Sequence, residues 1–157
     1  MTARWLALAL LCVVLAGCQA GPPFAAAPPT AAALDEPFAL RAGESAQLAD
    51  ANLEVTFASV PADGRCPTNI QCAETAPVRV VVSVAEMDGA DSSEFPFQCH
   101  TTQEGEVIAT APDTHVSEQV GPFEITLLRV TPYPDALQAT EPGDYRIEVV
   151  VTRQASA

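Results

Sequence analysis

Apolar and polar side chains alternate with period two at four places along the chain. Leu53, Val55 and Phe57 alternate with Glu54 and Thr56, and Val78, Val80, Val82 and Val84 with Arg79, Val81 and Ser83. Phe123, Ile125 and Leu127 alternate with Glu124 and Thr126, and Tyr145, Ile147, Val149 and Val151 with Arg146, Glu148 and Thr152. Side chains on a strand point alternately to opposite faces, so this pattern predicts half-buried strands. Weaker strands are expected at Phe38–Leu40, Phe95–Cys99 and Val107–Ala111. Turn clusters separate them, among them Pro61-Ala62-Asp63-Gly64, Asp88-Gly89-Ala90-Asp91-Ser92 and Pro142-Gly143-Asp144. About seven short strands with no stretch of helical period predict an all-β domain. The expected architecture is an antiparallel β-sandwich, immunoglobulin-like, over residues 38–154, with a small closed barrel as the alternative. Tyr145 opens the last strong strand after Pro-Gly-Asp, which fits either a tyrosine corner or a strand aromatic with its hydroxyl at the rim.

The first residues follow a different logic. Arg4 is followed by an unbroken apolar run from Trp5 to Ala16, too short to span a bilayer and suited to a signal-peptide core. The run ends in Leu15-Ala16-Gly17-Cys18, which resembles the lipobox of bacterial lipoproteins. That resemblance implies a signal peptide over residues 1–17, cleavage before Cys18, and lipidation of Cys18 by a diacylglyceryl group and an amide-linked acyl chain such as palmitate. The expected partner is therefore the membrane, reached through the N-terminal lipid. The expected location is the cell envelope, on the periplasmic face of the outer membrane or on the cell surface. Residues 18–37 are rich in Ala and Pro and cannot bury a core, so they are expected to act as a tether.

Composition narrows the chemistry. The 157 residues hold 20 acids against 7 cations, a formal charge of −13, and every cation is Arg. Cleavage at Cys18 removes Arg4 and no acid, taking the charge to −14. Nucleic-acid binding, which needs clustered cations, is not expected. Chemistry that requires a lysine amine is excluded, as in a P-loop or a Schiff base.

Of the five cysteines, Cys12 lies in the signal segment and Cys18 at the lipobox, which leaves Cys66, Cys72 and Cys99. Three pairings are open, and the short Cys66–Cys72 loop is the favoured disulfide. Export places it where disulfides persist. Cys99 is expected as a small buried strand residue, with a reactive thiol paired to His115 as the sharper alternative. The surrounding segment, Asp63-Gly64-Arg65-Cys66-Pro67 through Cys72, resembles an Asp-Ser-Arg-Cys-Pro…Cys motif of uncharacterised secreted and lipid-anchored bacterial proteins. Gly64 stands where those proteins carry Ser, and Ala73-Glu74-Thr75-Ala76 where they carry Val-Trp-Ala-Gly. The resemblance implies a structural role for the motif, a disulfide-stapled turn bearing an Arg, and brings no activity with it.

No catalytic motif is present: there is no Gly-x-Ser-x-Gly, His-Glu-x-x-His or glycine-rich phosphate loop. Asp88, Asp91 and Glu94 in an acidic turn are weak candidates for Ca²⁺, and Cys99 with His100 for a softer metal. Met87 and His115 are possible further ligands of such a site. No cofactor is expected. The expected role is a non-catalytic binding or structural accessory module with an envelope protein as partner. A metal- or small-ligand-binding envelope sensor is the alternative, and a small secreted hydrolase ranks third.

Overall fold

A computed structural model describes residues 28–89 and 91–154. Cys12, the lipobox with Cys18, and tether residues 18–27 lie outside the described residues. The chain folds into two facing sheets, and the architecture is a β-sandwich. The first sheet holds β1 (Thr30–Ala31), β3 (Ser45–Leu48), β4 (Leu53–Asp63), β5 (Val78–Glu86) and β6 (Ser92–Cys99), in the order β1-β3-β4-β5-β6. The second holds β2 (Phe38–Arg41), β7 (Ser117–Val120), β8 (Phe123–Thr131) and β9 (Arg146–Arg153), in the order β2-β9-β8-β7. All pairings are antiparallel except that of β1 with β3. The sheets do not close into a barrel, because β6 and β7 end them on one side and β1 and β2 on the other.

The period-two runs form the core. Val78, Val80, Val82 and Val84, with Phe57 and Phe97 on the neighbouring strands of the same sheet, face Ile125, Leu127, Ile147 and Val149 of the second sheet, all nearly inaccessible to solvent. At roughly 1.5–3 kcal/mol for each fully buried large apolar side chain, this layer supplies the main favourable term. The alternation in β4 breaks after Phe57, where register shifts at Phe57/Ser59 and Ser59/Ala62 mark bulges. A bulge bends a strand and raises its twist, and here it delivers Asp63 to the end of the sandwich.

Three strands were not foreshadowed, and one expected strand is absent. Ser45–Leu48 alternates in burial, with Ala46 and Leu48 inward, but its small residues give a faint pattern. Ser117–Val120 is a polar edge strand beside β8, formed by pairing instead of by its own periodicity. Thr30–Ala31, expected within the tether, runs beside β3, and the ordered domain therefore starts before residue 38. Conversely, Val107–Ala111 is not a strand. Gly105 at φ 87° and Asp113 at φ 57° turn the chain on either side, and isolated bridges such as Thr101 with Val107 hold the segment. No helix among the described residues is long and apolar enough to cross a membrane.

Candidate functional site

The two ends of the sandwich differ. At the end where β4 starts and β5 finishes, a cleft of about 520 Å³ opens between the sheets. Leu53, Val84 and Phe123 form its apolar floor, and Glu86, Asp91 and Ser93 line it from the acidic turn. Arg153 lies 4.7 Å from the centre of the Phe123 ring and donates to the Asp50 carbonyl at 3.2 Å.

The opposite end is built on the Asp63–Cys72 motif. Gly64 carries the chain out of β4 so close to Ala76 that a Cβ there would sit 2.5 Å from the Ala76 Cβ. The Ala76 amide donates to the Gly64 carbonyl at 2.8 Å, fixing that approach. Arg65 then turns inward and is almost wholly buried. A buried guanidinium is tolerable only when its five donors find acceptors, and here all five do. Nε donates to Asp63 Oδ1 at 2.8 Å, and Nη2 to Asp63 Oδ2 at 2.5 Å and to the Pro132 carbonyl at 2.9 Å. Nη1 donates to Thr101 Oγ1 at 3.0 Å and to the Val130 carbonyl at 3.2 Å. The Tyr133 ring lies 5.0 Å away, a cation–π distance. The fork-to-carboxylate geometry is the strong, bidentate form of ion pair.

Tyr145 completes the cluster. Its hydroxyl donates to Asp63 Oδ2 at 3.0 Å, so it neither caps a corner through backbone nor ends at a wet rim. Burial pushes the Asp63 carboxyl up, but the hydrogen bonds and charge of Arg65, aided by Tyr145, outweigh it and hold the carboxyl below its ordinary value. Burial, with the Asp63 charge beside it, raises the Tyr145 hydroxyl to about 12. Cys99 lies fully buried on β6, and burial lifts its thiol to about 11, with Arg65 opposing and Asp63 adding to the shift. At neutral pH it is a thiol, not a nucleophilic thiolate.

Cys66 and Cys72 are joined by a disulfide with Cα atoms 5.8 Å apart. Such a bond belongs to an oxidising compartment outside the cytoplasm. The loop it closes docks on the chain after β8. The Thr68 amide donates to the Pro134 carbonyl at 3.0 Å, and Asn69 Nδ2 to Asp135 Oδ1 at 3.1 Å.

The expected metal ligands are not brought together. Among the described residues no group of three His, Cys, Asp or Glu side chains is placed to hold an ion. Asp88, Asp91 and Glu94 are exposed around the turn and the start of β6, whereas Cys99 is sealed in the core at the far end of that strand. His100 follows outside the strand, half-buried, and Met87 is exposed in the turn at the cleft end. His115 is mostly exposed, with Nε2 2.6 Å from Glu118 Oε1, so it forms no dyad with the buried thiol. What sequence reasoning missed is the set Asp63, Thr101, Tyr133 and Tyr145 around Arg65. The only local signal was the Asp-x-Arg spacing, since the remaining partners lie 36 to 82 positions from the residues they bind.

Fold and site together define a β-sandwich with one end locked by a buried ion pair and a disulfide. Comparison with protein-family models, curated proteins and solved structures finds no match.

Proposed function

We propose that this chain is a lipid-anchored module of the bacterial cell envelope that binds or organises another envelope protein and catalyses no reaction. The observation that carries the reading is the closed state of the buried Arg65–Asp63 cluster. All five Arg65 donors and both Asp63 oxygens are taken by the protein's own groups, so neither is free to meet a substrate. Catalytic groups need an open position beside them for the reacting atom; here the polar chemistry is spent on shape. The disulfide supports a location outside the cytoplasm, and the resemblance of Leu15-Ala16-Gly17-Cys18 to the lipobox supports the anchor. Two or more acyl chains hold a protein stably, at about 0.8 kcal/mol per buried methylene, where one does so marginally.

Mass spectrometry of the protein extracted from envelopes tests the anchor. The mature chain should begin at Cys18 and carry diacylglyceryl and amide-linked acyl mass, and Cys18→Ala should move the domain out of the membrane fraction. A mature chain that starts elsewhere with an unmodified amine would overturn the proposal.

A further inference from the structure

We propose that the disulfide end of the sandwich is a docking surface for a partner protein whose contact face is an apolar pocket rimmed by Lys and Arg. This deepens the binding-module reading and rests on it. The surface consists of two loops, residues 66–77 and 132–144, which are welded into one unit. Arg65, one residue before the disulfide loop, grips the Val130 and Pro132 carbonyls at the root of the second loop. Farther out, the Thr68 amide bonds to Pro134 and the Ala136 amide to the Thr68 carbonyl at 3.3 Å. The Asp135 carboxylate ties the two tips together by accepting from Asn69 Nδ2 and from the Leu137 amide, the latter at 2.9 Å.

From this rigid base two large apolar side chains project into solvent, one from each loop. Ile70 is 53% exposed and Leu137 is 82% exposed. Leu137 is the most exposed large apolar residue among those described. A single exposed Leu needs no explanation. Here, though, the fold buries an arginine and closes a disulfide to hold in place the two loops that display these residues. Anchors held in the bound geometry lose little entropy on association, which is how a small contact gains affinity.

Charge selects the occupant. Asp135 sits between the tips that carry Ile70 and Leu137, the same two loops add Glu74, Glu141 and Asp144, and neither loop contains Arg, Lys or His. A membrane surface of anionic headgroups would repel this rim. A second copy docked through the same patch would set acid against acid, because a two-fold contact brings identical surfaces together. A protein pocket with a basic rim meets both the apolar anchors and the acidic surround.

The test is photo-crosslinking of the full chain in the producing cells, with a photoreactive amino acid at position 70 or 137, and at Met87 on the opposite end as control. The proposal expects a protein adduct at 70 and 137 and none at 87, with the crosslinked partner peptide holding Lys or Arg beside apolar residues. Adduct yield in isolated envelopes should fall about threefold or more when NaCl rises from about 50 to about 500 mM, as expected for charges screened within a Debye length. It should fall likewise in the double variant E74Q/E141Q. The variant I70S/L137S should lose binding and keep the wild-type melting temperature, since neither side chain is in the core. A lipid adduct, a crosslinked dimer of this chain, a salt-independent adduct or no adduct would each overturn the proposal. The parent reading fails separately. If Cys18 carries no lipid but the adducts persist, the anchor falls and the surface stands; if Cys18 is lipidated and no adduct forms, the reverse holds.

Discussion

Arg65 shows how one buried charge can organise the end of a fold. Its worth lies less in net stability, since a buried ion pair often does no better than apolar packing, than in the penalty for losing one partner. Arg65→Met removes all five side-chain donors and leaves the Asp63 carboxylate with only the residue-65 amide and the Tyr145 hydroxyl as donors. The expected cost is about 3–5 kcal/mol by chemical denaturation at pH 7, the size found when a buried pair loses one member. The pH dependence identifies the cause. Asp63 has a folded value below its ordinary 3.8, so its contribution is present above that value and is lost as pH falls through the lowered folded one. Protonated Asp63 no longer needs Arg65, so the gap between wild type and R65M should narrow as the pH drops below about 3.8. A gap of constant size from pH 7 to pH 3 would mean that Arg65 acts through packing of its stem and not through its charge.

The turn after β4 sets Gly64 directly against Ala76. The two positions touch, and a Cβ added to Gly64 would meet the Ala76 Cβ at 2.5 Å and its Cα at 3.1 Å. There is room for one Cβ at this crossing, and the chain places it on residue 76. Gly64→Ser alone should therefore cost about 1–3 kcal/mol, as overpacking does, and the double change G64S/A76G should recover most of it. Additive effects in a double-mutant cycle would show that the two sites are uncoupled. The same turn shows what could be read before the fold was known. The strong strands announced themselves because a pleated, half-buried strand needs period-two apolar residues, and the disulfide because its loop is short. β3, β7 and β1 did not, because small or polar edge residues take their structure from the strand beside them. The Arg65 cluster was legible only as far as Asp63. Thr101, Val130, Pro132 and Tyr145 join it from other strands and loops, and no local pattern encodes such a meeting.

At the scale of the whole molecule, the acidic surplus and the domain boundary decide how the module sits. Arg65 is internal, so five cations remain to offset the acids on the surface of residues 28–154, and solubility and like-charge repulsion follow. The boundary matters more for reach. If the lipid is on Cys18, the span from anchor to first strand ends at Thr30 and not at Pro37. Twelve residue steps then reach at most about 40 Å, so a partner must come close to the membrane. That boundary has a consequence for stability. The Ala32 amide donates to the Gln47 carbonyl at 3.0 Å and the Asp35 amide to the Val151 carbonyl at 2.9 Å, so this segment touches both sheets. Ala32 and Leu34 pack against the core, and β1 covers the outer edge of β3. A chain starting at residue 28 should melt with the mature protein, whereas one starting at residue 38 should lose about 1–3 kcal/mol, the scale of one large apolar side chain returned to water. The shorter chain should also self-associate more at high concentration, because β3 becomes an open edge with unpaired backbone groups. Equal melting of the two truncated chains would return residues 28–37 to the tether and lengthen the leash again.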